Sequence, residues 1–189
     1  MGYFIHSQTS FLNLDHLFSY MNKHTIKLLD DARTYKLANV LNDLDYDDID
    51  INASAITGKT LLHYASTHNW DSVIIKALAN FDANVNAQDN HGQTPLHIAT
   101  VESTSECVKV LLSLNDIKVN IQDENGKTAL HYASEHYDDE YVTMLLAYKD
   151  INVNIRDKNG QTPLHCIVLH PDPKILSSLL LYEDIEVNL

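Results

Sequence analysis

Residues 92–99 read Gly92-Gln93-Thr94-Pro95-Leu96-His97-Ile98-Ala99, and the frame returns at Gly126-Lys127-Thr128-Ala129-Leu130-His131-Tyr132-Ala133. It returns again at Gly160-Gln161-Thr162-Pro163-Leu164-His165, and upstream at Gly58-Lys59-Thr60-Leu61-Leu62-His63. Each step is 34 residues. Two more columns keep that period: Asn52, Asn86, Asn120, Asn154 and Asn188, each after Ile or Val, and Leu44, Leu78, Leu112, Leu146 and Leu180. Self-similarity at such a period is the signature of stacked structural repeats.

Each column has a mechanical reason. A threonine ahead of an apolar-periodic run is a helix N-cap whose hydroxyl can accept an orphan backbone N–H, and Pro95 and Pro163 then fall at N1, where proline is favoured. The glycine two residues earlier supplies the positive φ of a tight turn, so Asp89-Asn90-His91-Gly92 and Asp123-Glu124-Asn125-Gly126 read as β-turn tips. Ala65, Ala99 and Ala133 give the first helix a small face. Ile74, Val108, Val142 and Leu176, with the leucine column, give a second helix an apolar stripe. The unit is turn, helix, helix.

This pattern resembles the ankyrin repeat family, whose usual period is 33 and whose block reads T-P-L-H-x-A. The resemblance covers roughly residues 52 to 189. It implies an all-α solenoid of helix-turn-helix units with β-turn fingers, the additional residue lying between the second helix and the next turn, as in Leu114–Asn120. Repeats are expected at 52–85, 86–119, 120–153 and 154–189. A degenerate capping repeat at 24–51 keeps the helical pattern without Thr and His, and residues 1–23 form a flanking helix. In the last repeat Ile167 replaces the small alanine, which demands altered packing at a cost of about 1–3 kcal/mol. The chain stops at Asn188-Leu189 with an apolar second helix, so a partner, a further domain or a truncation is expected at that end.

Composition narrows the function. Lys+Arg number 13 against 26 Asp+Glu, a balance of −13, which opposes a phosphate backbone and excludes nucleic acid as the expected partner. Only Cys107 and Cys166 are present, too few for a disulfide framework and wrongly spaced for a zinc site, so a reducing compartment fits. No apolar stretch reaches the ~20 residues of a membrane span, and no signal peptide is readable. After Met1-Gly2, His6 stands where a myristoylation signal wants Ser or Thr.

Chemical motifs fail on inspection. Gly58-Lys59-Thr60 and Gly126-Lys127-Thr128 imitate a phosphate loop, but Ala53 and Ile121 occupy the place of its earlier glycine. Asp43, Asp45, Asp47, Asp48 and Asp50 imitate a calcium loop, but Asp48 stands at its glycine and Ser54 at its glutamate, leaving a solvated acidic edge. His63/His68, His131/His136 and His165/His170 are five apart, which points the rings away from one another on a helix where metal pairs want three or four. In the resemblance the first histidine of each pair is structural and ties one turn to the next. Cys107 and Cys166 fall in packing columns, and no nucleophile, base and orienting group converge on a pocket. No enzyme activity, cofactor or metal is expected.

Function therefore reduces to binding. The resemblance implies protein–protein recognition in a concave groove of turn tips and first helices. Positions free to vary there are Ile56, Lys59, Tyr64, His68, Trp70, Asn90, His91, Gln93, Glu102, Glu124, Asn125, Lys127, Tyr132, His136, Lys158, Asn159 and Gln161. Trp70, Tyr64 and Tyr132 are the natural anchors, because Trp and Tyr are enriched at hot spots. The charge balance predicts a protein partner with a basic or neutral surface. The expected molecule is a monomeric cytoplasmic adaptor, and the abundance of Asn, Asp, Ile, Lys and Tyr tilts it toward a microbial effector working in the host cytosol. The alternative is the substrate-recruiting part of an enzyme whose catalytic domain lies beyond residue 189. In the resemblance, Leu78/Asn86, Leu112/Asn120 and Leu146/Asn154 also have the spacing of asparagine hydroxylase targets. An F-box type adaptor would need more than residues 1 to 23 before the repeats.

Overall fold

The computed structural model describes residues 23–33, 49–67, 72–136, 139–168, 173–182 and 185. Its helices are α1 (Lys23–Arg33), α2 (Leu61–Ala65), α3 (Ser72–Asn80), α4 (Pro95–Glu102), α5 (Ser105–Leu112), α6 (Ala129–Glu135), α7 (Asp139–Leu146), α8 (Pro163–Val168) and α9 (Pro173–Leu180). The described residues form no named strand; only an isolated antiparallel bridge joins Ser54 to Thr60. The flanking helix expected within residues 1–23, and the second helix of the capping repeat, lie outside the described residues.

Helices α2, α4, α6 and α8 stack in one layer, and α3, α5, α7 and α9 stack in a second. The alanine column is why the first layer closes: Ala65, Ala99 and Ala133 are fully buried, and a small side chain permits close approach of neighbouring backbones. Ile167 takes that place in α8 and is also fully buried. At the upstream end α1 packs on α2, burying Leu28 and Ala32, while the Thr25 hydroxyl accepts the Asp50 N–H at 3.0 Å.

The second layer departs from strict 34-residue register in one helix. In α5 the buried residues include Cys107, Val108 and Leu111, and in α7 they are Tyr141, Val142 and Leu145. Stepping back 34 predicts Val73, Ile74 and Ala77 for α3, but α3 buries Ile74, Ile75 and Leu78 and leaves Val73 61% exposed. Helix α3 has slipped by one residue. The slip replaces Ala77 with Leu78 in the core, a larger apolar burial. It also ends α3 differently: Asp82 N–H bonds Ala79 O and Ala83 N–H bonds Leu78 O, a Schellman closure with Asp82 at φ 59° where glycine is usual. The additional residue of this repeat therefore precedes the second helix instead of following it. The expected leucine stripe is accordingly uneven: Leu78 is fully buried, Leu112 and Leu146 are half-buried, and Leu180 is 47% exposed.

Candidate functional site: the fingers and the first-helix face

Three of the four fingers are organised by an aspartate. Asp89 Oδ1 accepts the N–H groups of His91 and Gln93, Asp123 Oδ1 those of Asn125 and Lys127, and Asp157 Oδ1 those of Asn159 and Gln161. Backbone bonds close each turn, as in Gly92 N–H to Asp89 O and Asp89 N–H to Gln93 O, both 2.9 Å. The glycine at the tip of this turn has φ 74°, which side-chain-bearing residues adopt only at a cost. The first finger carries Ala55 at the aspartate's place.

The fingers are laced to one another by backbone. Asn90 N–H donates to Thr57 O at 3.0 Å, Glu124 N–H to His91 O at 2.8 Å, and Lys158 N–H to Asn125 O at 2.9 Å. Two side-chain ladders reinforce this. Gln88 Nε2 donates to Gly92 O and to Gln122 O, and Gln122 Nε2 to Gly126 O and to Arg156 O. In the asparagine column, Asn86 donates to Asp116 O at 2.7 Å and accepts from Lys118 N at 2.8 Å. Asn120 does the same with Asp150 O and Asn152 N. The amide groups of these two candidate hydroxylation positions are thus engaged in the loop that closes the same 34-residue unit, about 30 residues on.

The histidines join fingers to helices. His97 Nε2 lies 3.1 Å from Lys127 O, so that nitrogen carries the proton, and Nδ1 accepts the Thr94 N–H at 3.1 Å. His63 and His131 repeat this with Gln93 O and Gln161 O. The threonine is the N-cap in extended conformation, but its hydroxyl meets the ring, 2.8 Å from Nδ1. Histidine thus takes the return arm of a capping box, a part usually given to Glu or Gln. Burial pushes the pKa values of His63, His97 and His131 below the ordinary 6.5, against the carbonyl bonds that would raise them. These rings are structural, and no group of three or more metal-ligating side chains forms among the described residues.

This frame presents the sequence-derived positions in a row. Ile56, Asn90, His91, Glu124, Asn125, Lys158 and Asn159 are exposed on the fingers, while Lys59, Gln93, Lys127 and Gln161 are half-buried at their bases. Tyr64 and Tyr132 are half-buried on first helices, and Glu102 and His136 are exposed at helix ends. Ile56 is 73% exposed, His91 Nδ1 pairs with Glu124 across adjacent fingertips at 3.0 Å, and Asn90 Nδ2 donates to Ile56 O. His68 and Trp70 lie outside the described residues.

Tyr132 is the most heavily engaged of these. Its hydroxyl donates to Asp123 Oδ2 at 2.6 Å and receives Gln93 Nε2 at 3.3 Å. The Lys127 ammonium stands 5.5 Å from its ring centroid, and the His97 ring meets it edge-on at 5.9 Å. Burial, then the bond to Asp123, pushes the Tyr132 phenol up to about 12. Burial works to raise the Asp123 carboxyl as well, but the Tyr132 hydroxyl and the N–H groups of Lys127 and Asn125 outweigh it and hold the group below 3.8. Lys127 also bridges Glu135 at 2.5 Å, and Glu135 faces the Cys166 thiol at 3.7 Å. Burial, followed by that carboxylate, raises the thiol to about 12, so Cys166 is a protonated packing group and no nucleophile. Both cysteines are buried and neither forms a disulfide.

The match to a family model now meets this geometry. Residues 22–123 and 106–189 match the model for ankyrin repeats (3 copies). The chain belongs to the ankyrin-repeat family. No curated protein matches it significantly. Ankyrin repeats are protein–protein interaction modules, and this chain is one. No helix among its described residues is long and apolar enough to cross a membrane.

The aspartate column at 89, 123 and 157 organises the fingers without standing among the sequence-derived site residues. Its signal is a column with the same 34-residue period, interrupted at Ala55. Glu135 gives a weaker signal: its partner Lys127 stands eight residues before it, but its neighbour Cys166 comes from the next repeat.

Proposed function

We propose that this ankyrin-repeat protein is a non-enzymatic adaptor that holds a partner protein on the face made by its fingers and first helices. The supporting observation is the fingertip row. Exposed, chemically varied side chains from Ile56 to Asn159 stand on backbone tied finger to finger, so a partner meets a surface ordered before binding. Charge on this face is close to balanced: Lys59, Lys127, Arg156 and Lys158 stand against Glu102, Glu124 and Glu135. That balance favours a neutral partner surface over a basic one at the fingers themselves, whatever the chain's overall −13 does to the encounter rate. The composition rich in Asn, Asp, Ile, Lys and Tyr supports a microbial adaptor acting in a host cytosol.

The test is affinity capture from host-cell lysate with three proteins: the wild type, a fingertip variant (Ile56→Asp, His91→Ala, Glu124→Lys) and a second-helix variant (Lys76→Glu, Lys109→Glu). A protein lost only with the fingertip variant, whose circular dichroism matches wild type, supports the reading. One lost only with the second-helix variant moves the site to the opposite face.

A further inference from the structure

The first finger has the backbone of the other three but not their carboxylate. Ala55 N–H donates to Lys59 O at 2.9 Å and Gly58 N–H to Ala55 O at 2.8 Å, with Gly58 at φ 78°, the closure seen in the Asp89 and Asp123 turns. In those turns and in the Asp157 turn, Oδ1 accepts the N–H groups two and four residues on. The same groups in the first finger are the N–H of Thr57 and of Lys59, and the methyl side chain of Ala55 offers them no acceptor. Neither donates to another described residue.

The side chains beside that turn are those of the third finger. Tyr64 and Lys59 stand two repeats before Tyr132 and Lys127, of which the Tyr132 hydroxyl donates to Asp123 Oδ2 at 2.6 Å and the Lys127 ammonium pairs with Glu135. With Ala55 in place of Asp123 and Thr67 in place of Glu135, both groups of the first repeat lose their carboxylate. Among the described residues the Tyr64 hydroxyl has no hydrogen-bond partner and Lys59 no ion pair. Arg33 lies within electrostatic reach of the Tyr64 phenol but is paired with Asp30 at 2.6 Å. Thr57 is exposed, and Ala55, Lys59 and Tyr64 are half-buried, so the turn is reached from the finger face.

We propose that the first finger recognises a carboxylate: an aspartate or glutamate side chain of the partner protein docks on the N–H groups of Thr57 and Lys59, its second oxygen turned toward the Tyr64 hydroxyl and the Lys59 ammonium. The partner supplies in trans what Asp89, Asp123 and Asp157 supply within their own turns. The incoming oxygen is not bonded to Ala55 Cβ and stands farther from it than an aspartate Oδ1 does, a displacement within the tolerance of hydrogen-bond geometry. Two backbone N–H groups and an ammonium make charge-assisted bonds that a neutral amide does not replace. The chain's −13 repels a generally acidic surface, so the partner brings a single acidic side chain on otherwise neutral ground. This inference rests on the finger face being the partner's site.

The test follows amide protons of the full chain by NMR during titration with a capped peptide, acetyl-Gly-Asp-Gly-amide, and with its Asn counterpart. The Asp peptide shifts the Thr57 and Lys59 amide protons downfield and saturably, and the Asn peptide does not. The Asn125 and Lys127 amide protons, already bonded to Asp123, stay in place. Ala55→Asp abolishes the response and raises the urea midpoint, because the turn then carries its own carboxylate. Tyr64→Phe, which leaves the turn intact, weakens the peptide severalfold. No shift at Thr57 and Lys59, equal shifts with both peptides, or a response that survives Ala55→Asp would overturn the proposal. So would a peptide whose only carboxylate is its C-terminus shifting these protons when the Asp peptide does not. The titration reads the isolated protein, so its outcome is independent of whether the finger face captures a partner. A partner lost with the fingertip variant but retained by Ala55→Asp overturns the carboxylate site and leaves the adaptor reading in place.

Discussion

The Tyr132 hydroxyl donates to Asp123 Oδ2 at 2.6 Å, whereas one repeat earlier Ile98 stands in the tyrosine's place and Asp89 Oδ2 is buried without a protein partner. The two fingers share their Oδ1 bonds and differ at Oδ2, where Asp123 also has Asn125 Nδ2 at 3.5 Å. A buried carboxyl oxygen left without a partner costs more than the mean hydrogen bond contributes.

Replacing Ile98 with tyrosine supplies the missing donor. A hydrogen bond to a charged group contributes about 1.5–3 kcal/mol, and fitting a larger ring costs part of it, so Ile98→Tyr gains about 1 kcal/mol in urea denaturation. Tyr132→Phe, which strips the donor from Asp123, loses about 1.5–3 kcal/mol by the same argument. An Ile98→Tyr protein less stable than wild type would count against this account of Asp89.

The histidine ladder makes stability depend on pH. Burial holds His63, His97 and His131 below their ordinary 6.5, so just below 6.5 the unfolded chain binds more protons than the folded one. Their contribution is complete above 6.5 and is lost as pH falls through the lowered folded-state values, each ring adding a slope of up to about 1.4 kcal/mol per pH unit. Asp123 adds to acid loss only below its ordinary 3.8. Denaturation midpoints should fall between about pH 7 and about pH 5, and His97→Gln should flatten that slope while lowering stability throughout.

The asparagine staples are tested at Asn120. Asn120→Asp keeps the acceptor for Asn152 N–H but turns a carboxylate oxygen toward Asp150 O, the carbonyl that Nδ2 now meets at 2.6 Å. The expected loss is about 1–2 kcal/mol, and Asn120→Ala should lose a comparable amount. Thermal melts that are unchanged for both variants would remove the staple from the account of stability.

Two tip glycines separate backbone strain from packing. Gly92 and Gly160 have φ of 74° and 77°, so alanine is strained equally at both. Only at Gly92 would its Cβ also meet a neighbouring finger, with Glu124 N at 2.8 Å. Gly160→Ala should cost about 1 kcal/mol and Gly92→Ala at least about twice that. Equal costs would mean that the fingers part freely.

The sequence by itself determined the repeat, its turn-helix-helix order, the alanine face, the histidine between finger and helix, and the row of variable fingertip positions. Those are local or strictly periodic properties: a cap, a turn glycine or a small helix face is set by residues a few positions apart, and the period repeats it. The tertiary structure decided what depends on contact between repeats. The leucine column already placed Leu78 on the stripe with Ile74, and α3 buries both, but only contact between repeats shows that α3 is turned by one residue relative to α5 and α7, whose column leucines Leu112 and Leu146 are half-buried. The same holds for the contact of Glu135 with Cys166 of the next repeat and for the orphaned Asp89 Oδ2. In each of these the energy lies in groups brought together by stacking, and a one-dimensional pattern records the spacing of residues but not which neighbour covers them.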